Sequence, residues 1–426
     1  MLRAIVLIAG LFALTGCGRP GSATQSPDLA AAAESYVRLV LALGDRDSDS
    51  LDSYHGPPAW MADARARHDT LADVQRAARA LADSLASTTF QKKDDEVRQA
   101  FLIRQLRAVV VRIDILGGAR PAFAEEARRL FGLETTTSAS AIDAPTIRAA
   151  VDRELPGKGS TTERLFAFER RFLIPGDRLP AVMARAIEGC RAATATHIPL
   201  PPGERVDVTY VRDSPWSAYT RYEGHAHSTI QVNAALPLTV DRAVDLACHE
   251  AYPGHHTIGM LIESRLPEQV ELLVQPAFSP QTLLHESASS SAGTLAFSEA
   301  ERVTFERDVL FPLAALDTTE AEHHVRVSRL VDQLHGVEAE IARRYLDGEL
   351  DFPRASIALE REALMPSADL TLKFLNRFRT YAATYTIGRD RFWQALRVTN
   401  EDDLDGRWRA YVDLVSNPAQ ALPSDR

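Results

Sequence analysis

Three features of the chain predict a mainly α fold with a small β-sheet in its middle. Apolar residues recur at three- and four-residue steps over most of its length. Two short stretches near residues 206–210 and 230–233 alternate instead. Gly and Pro fall between these patterns rather than inside them. At 426 residues, 45% hydrophobic and 25% charged, the chain has the composition of a folded globular protein rather than a disordered one. Of its 48 basic residues only Lys92, Lys93, Lys158 and Lys373 are Lys; the rest are Arg, scattered among 58 acids for a net charge of −10. A nucleic-acid groove needs clustered positive charge, so nucleic acid is excluded as a partner. Three cysteines make no disulfide framework.

The elements follow in chain order. Residues 1–16 read as a signal peptide: Arg3 precedes the apolar run Ala4–Leu14, which is shorter than the ~20 residues a membrane span requires. The run ends in Leu14-Thr15-Gly16-Cys17, which resembles a bacterial lipobox with Cys17 as the lipidated N-terminal residue. Residues 17–27 are then the lipidated Cys and a Gly/Ser/Pro-rich tether. Gly18 after the Cys, in place of Asp, points to the outer membrane and a body facing the periplasm. The expected location is the bacterial cell envelope, with the membrane engaged through this anchor alone.

Residues 28–198 read as an N-terminal helical region. Leu29, Ala33, Tyr36, Val37, Val40 and Leu41 define one helix face. Leu71, Val74, Ala78, Leu81 and Leu85 define a second, and Val97, Phe101, Leu102 and Leu106 a third. After Pro199-Leu200-Pro201-Pro202-Gly203 the texture changes, and residues 199–426 form a second region that packs with the first as one unit. Val206, Val208 and Tyr210 mark one strand, Ile230 and Val232 another, with a Gly, Ser and Tyr-containing connection between them. A helix starting near Thr239 or Asp241 carries Val240, Val244, Ala247, Cys248 and Ala251 on one face. Cys248, inside that apolar pattern, is read as a buried thiol, with pairing to Cys190 in an oxidising compartment as the other reading. His323-His324 lies in a charged stretch and reads as solvated.

Six of the twelve histidines fall between His225 and His285. The dense part is His249-Glu250-Ala251-Tyr252-Pro253-Gly254-His255-His256. A metal-binding helix commonly offers His-Glu-x-x-His, whose two imidazoles lie about 40° apart on one face. Here the fourth residue after His249 is Pro253. In a straight helix His255 would sit roughly 120° off the face, and His256 some 10 Å along the axis. Pro253-Gly254 predicts a bulge or kink that swings one of the two back toward His249.

This octapeptide resembles the signature of the bacterial domain-of-unknown-function 885 family. These are secreted or lipid-anchored proteins similar to the gluzincin branch of zinc metallopeptidases. The likeness runs from about Arg205 to Arg397. It implies a zincin-like architecture in which the active-site helix follows a short sheet. Zinc is then held by His249, His255 and Glu286, with Glu250 as the general base on a water and His256 as a neighbour contacting substrate. The third-ligand segment Glu286-Ser287-Ala288-Ser289 stands where the family reads Glu-Gly-Trp-Ala. Ala383-Thr384-Tyr385-Thr386-Ile387-Gly388 stands where it reads Ala-x-Tyr-Lys-x-Gly, which gives Tyr385 the role of donor to the oxyanion. Arg377 and Arg379 would hold a substrate carboxylate. The strand ending at Asn233 would pair with an extended peptide substrate. His225 and His227, just before that strand, line the cleft or decorate a loop. The implied activity is hydrolysis of peptide amide bonds. The other readings are a non-catalytic envelope lipoprotein that binds peptides or envelope partners through a degenerate metal site, and, ranked last, a zinc buffer.

Overall fold

In the computed structural model, residues 28–135, 143–396 and 404–421 are described. The signal peptide, Cys17 and the tether lie outside them. The chain is mainly helical with two small sheets. The helix Leu29–Arg46 starts where the Asp28 side chain accepts from Ala30 N, and it buries Leu29, Ala33, Tyr36, Val37, Val40 and Leu41. Its partners are Leu71–Ala86, opened by a Thr70–Asp73 capping box, and Lys93–Leu116. The three faces read from periodicity meet here. Their core continues into Leu272, Val274, Trp408 and Tyr411, so the N-terminal helices share one apolar interior with the rest of the chain.

Within the stretch read as wholly helical lies a strand, β1 (Leu51–Tyr54). Four strands follow: β2 (Arg205–Val211), β3 (Ala218–Gly224), β4 (His227–Asn233) and β5 (Val274–Pro276). β1 pairs antiparallel with β5, matching Ser53 to Gln275 and Tyr54 to Val274. Arg112 fixes the approach to β1. It donates to Asp47 at 2.7 Å and to Ser50 Oγ at 3.0 Å, and lies 3.8 Å over the Phe278 ring. β2, β4 and β3 form the second sheet in that order, β4 parallel to β2 and antiparallel to β3.

This order corrects one expectation. The strand through Ile230 and Asn233 is central, with both edges already paired, so no peptide can add to it; β3 is an edge strand of this sheet. β3 escaped detection because Tyr219, Thr220, Arg221 and Tyr222 carry no apolar–polar alternation. Burial alone shows its inward residues, Thr220 and Tyr222.

Val240–Glu250, the first histidine helix, buries Val240, Ala243, Val244, Ala247 and Cys248 completely. It lies beside Leu179–Ala195, and the two are joined by a Cys190–Cys248 disulfide with Cα atoms 5.4 Å apart. The reading of Cys248 as a buried thiol is thus corrected. Its sulfur is buried as expected, but neighbouring helix faces bring it to Cys190, and sequence separation carries no sign of that. The helix Ala321–Asp332 corrects another expectation. His324 is buried, stacked on Phe172 with ring centroids 4.0 Å apart, and its Nε2 lies 3.4 Å from Asp241. The exposed side of that helix carries Glu322 and Arg326. No helix among the described residues is long and apolar enough to cross a membrane.

Candidate metal centre

The site is assembled at a break between two helices. The first histidine helix ends after Glu250. The second, His255–Arg265, begins five residues later. Pro253 has no N–H to continue the first helix. The chain folds back so closely that Gly254 N donates to Cys248 O at 2.9 Å. A Cβ on residue 254 would overlap the His249 carbonyl, so the position admits only glycine. The fold-back brings His255 Nε2 to 3.2 Å from His249 Nε2.

The third group comes from Pro280–Ala296, a helix capped by Ser279 and buried along most of its length. Small residues Ser287, Ala288, Ser291 and Ala292 let its neighbours approach. Ser287 Oγ donates to Thr384 O at 3.3 Å, and Gly388 leaves no room for a Cβ against Ser287. Glu286 points one carboxylate oxygen at each histidine, Oε2 at 3.3 Å from His249 Nε2 and Oε1 at 3.4 Å from His255 Nε2. Tyr381 donates to Glu286 Oε1 at 2.8 Å, while Oε2 is buried without a hydrogen-bond partner.

The two imidazole nitrogens are thus 3.2 Å apart, and each lies 3.3–3.4 Å from its own oxygen of the Glu286 carboxylate. Two ligands on a tetrahedral ion with bonds of about 2.0–2.1 Å are about 3.3 Å apart. The donor set, two imidazoles and one carboxylate, is also the type zinc takes in catalytic sites. Among the described residues no other His, Cys, Asp or Glu group converges in this way.

The electrostatics are those of a compact charge cluster. Burial works against the His255 imidazolium, but Glu286, Glu250 and Asp52 outweigh it and lift its pKa to about 9. Burial likewise disfavours the Glu286 carboxylate, yet His255 and His249 hold it well below the usual range. Asp52 is pushed up to about 7 by burial and by Glu286 and Glu250, with His255 opposing. Burial, with Glu286 adding to it, keeps the Tyr381 and Tyr385 phenols protonated.

Glu250 is buried beside the cluster. The Thr220 hydroxyl on β3 lies 2.7 Å from its Oε2 and 3.0 Å from its main-chain carbonyl. Tyr385 is half-buried, its ring centroid 6.1 Å from that of His249 and 5.7 Å from that of Tyr381. The structure therefore brings together His249, Glu250, His255, Glu286 and Tyr385.

The three residues expected to contact substrate lie elsewhere. His256 is fully buried and turned to the sheet. Its Nδ1 is 2.9 Å from Ser228 Oγ and its Nε2 3.3 Å from Glu204. Glu204 also takes bonds from Tyr252 and Arg191; together these partners outweigh its burial and hold its pKa down at about 2. Asn233 spends its amide on the loop before β3, donating to Ser214 O and Trp216 O at 3.0 and 3.1 Å and accepting from Ala235 N. Arg379 donates to Glu126 at 2.7 Å and to Pro121 O, and Arg377 forks onto Asp49. Each has its hydrogen bonds already made within the fold. His227 pairs with Asp207 at 2.8 Å, and His225 N donates to Glu263 at 2.9 Å, so neither side of that turn adds to the cluster.

Four neighbours of the site were not foreseen: Asp52, Thr220, His285 and Tyr381. Tyr381, one turn before Tyr385, had a helical spacing that would have shown it. Thr220 needed β3 to be recognised, and Asp52 sits on a strand remote in sequence from the histidines.

No family model and no curated protein matches the chain. Among solved structures, a candidate lipoprotein from Colwellia psychrerythraea shares the fold. Its TM-score is 0.51 at 15% identity, over 83% of this chain and 68% of that one. A candidate lipoprotein of unknown function from Shewanella oneidensis aligns with a TM-score of 0.46 at 12% identity, over 93% and 73% of the two chains.

Proposed function

We propose that this chain is a zinc-dependent hydrolase of zincin-like design, anchored in the cell envelope through Cys17, that cleaves peptide amide bonds. The observation that carries the reading is the convergence of His249, His255 and Glu286, with the imidazole nitrogens 3.2 Å apart and each 3.3–3.4 Å from a Glu286 oxygen, spacings close to those between ligands of a tetrahedral zinc. The octapeptide's resemblance to a metallopeptidase family supports it. The anchor reading draws on the lipobox at Leu14–Cys17 and on the lipoprotein description of the Colwellia psychrerythraea neighbour.

A bound zinc ion supplies Lewis-acid polarisation and lowers the pKa of water. The chain's own residues do the rest. Glu250, adjacent in sequence to a ligand, is the proton acceptor. Thr220 occupies one of its oxygens and leaves the other for the proton, later passed to the leaving amine. Tyr381 fixes the rotamer of Glu286 by its hydrogen bond to Oε1. Tyr385 stays protonated and donates to the oxygen that gains negative charge. An extended substrate would lie along β3, the edge strand that carries Thr220.

The test is metal analysis joined to turnover. Purified protein is expected to hold one zinc per chain. Glu250→Gln is expected to keep that zinc and lose hydrolysis of a mixed peptide library by at least ~100-fold. Protein that takes up no zinc at micromolar free metal would favour a non-catalytic binding lipoprotein instead.

A further inference from the structure

Beside His255 the fold leaves a partly open cavity just wide enough for one water-sized group, lined among others by Asp52, His55, Gln275, Gln281 and His285. It is unusual in its polar groups. Gln281 and His285 are 1% and 3% exposed, yet Gln281 Oε1 and His285 Nε2 have no hydrogen-bond partner, and neither do His55 Nδ1 and Gln275 Nε2. Buried polar atoms are normally paired, and several orphans facing one space mark a place where a ligand supplies the missing bonds. No Lys or Arg lines the cavity. The Asp52 carboxylate receives no hydrogen bond from any described residue. Its backbone is nevertheless fixed, because β1 pairs with β5 and the Tyr219 hydroxyl donates to Asp52 O.

The groups open to a ligand are the Asp52 carboxylate, the Gln281 amide oxygen, two imidazole nitrogens able to accept, and one donor, the Gln275 amide; the single formal charge among them is negative. What suits them is a compact donor with positive charge. A primary ammonium has the size of a water and three N–H bonds to give. A guanidinium is too wide for the space. We propose that this cavity is a subsite for a primary ammonium group of the substrate, held by Asp52 with Gln281 and His285. The ammonium comes from a free peptide N-terminus or from a lysine-type side chain near the scissile bond. Calling it a substrate subsite rests on the hydrolase reading; the recognition of ammonium does not.

Calorimetry on the full chain in the Glu250→Gln background separates the two, run once with zinc and once with EDTA. Four peptides of one sequence serve as probes: with both amines free, with only the N-terminus acetylated, with only the lysine acetylated, and with both acetylated. At least one ammonium-bearing peptide is expected to bind about tenfold or more tighter than the doubly acetylated one. The two singly acetylated peptides assign the source. Asp52→Asn and, separately, Gln281→Leu are expected to bring that ratio close to one without changing zinc content or Tm. Equal binding of all four peptides, or no binding of any at millimolar concentration, overturns the proposal. Failure of the zinc reading shows independently, as absent metal in the parent protein, and leaves the comparison in EDTA intact.

Discussion

The hydroxyl of Thr220 touches Glu250 twice, at 2.7 Å on the carboxylate and 3.0 Å on the main-chain carbonyl. A strand residue thus fixes both the side chain and the last turn of the helix that presents it. If Glu250 accepts a proton during turnover, its free oxygen must be aimed by this contact. Thr220→Val, which keeps shape and removes the hydroxyl, is expected to lower kcat about 10–100-fold with little change in KM or zinc content. Thr220→Ser should recover most of the loss. Steady-state kinetics on the three proteins checks this, and a Ser variant as poor as Val would refute an orienting role.

Zinc that binds the folded chain alone must stabilise it. At free metal a hundred times Kd the gain is about 2.7 kcal/mol. Thermal unfolding with zinc and with EDTA should show a higher Tm with metal. His249→Ala should abolish the difference, since only two of the three donors would remain.

Gly254 is held where its backbone meets the His249 carbonyl. Gly254→Ala should force the break open, separate the two imidazoles and cost on the order of 2 kcal/mol or more. Denaturant unfolding would read the stability, and zinc titration would read the loss of affinity. Unchanged zinc affinity would mean that the fold-back does not set the histidine separation.

The Cys190–Cys248 bond closes a loop of 58 residues. Loop-closure entropy puts its stabilisation at about 4 kcal/mol as an upper figure. Urea unfolding with and without reductant, and of a Cys190→Ser, Cys248→Ser variant, should show losses of similar size. Zinc affinity should also fall, because Cys248 immediately precedes His249.

A pH signature is expected away from the metal. Burial opposes charge on both His324 and Asp241, but their attraction and the nearby Ser328, Glu306 and Arg302 groups outweigh it. The histidine pKa is raised and the aspartate pKa lowered. The aspartate's contribution is present above about pH 4 and is lost as pH falls below that toward its depressed pKa. The histidine's is complete below about pH 6.5 and is lost as pH rises through its raised value. The stability difference between the parent protein and His324→Gln should therefore be larger at pH 6 than at pH 9. A difference that grows with pH would show that His324 is buried uncharged.

How much of this was legible in the sequence depends on the range of the interaction. Helix faces such as Val240, Val244 and Ala247 are fixed by local period, and they are buried where the period put them. The crowding of His249, Glu250, His255 and His256 and the break at Pro253-Gly254 are local too. The placing of Glu286 beside them came from a resemblance, and the structure brings it into contact. What the chain did not disclose is set by pairing between distant segments: β1 against β5, the Cys190–Cys248 contact, and the burial of His324 under Phe172. The residues expected to contact substrate, His256, Asn233 and Arg379, have partners inside the fold. A polar side chain cannot advertise in sequence whether its bonds are already made.

Cys248, His249 and Glu250 are consecutive, and each is tied to a different part of the molecule: the helix Leu179–Ala195, the glutamate at 286, and β3. No one of those neighbours can set the site without the others. Contacts of such sequence separation carry a larger loop-closure cost than local ones. The donor cluster therefore exists only once all three segments are in place. A copy in which these segments have not yet packed holds the groups apart, so the metal chemistry proposed above would await completion of the fold.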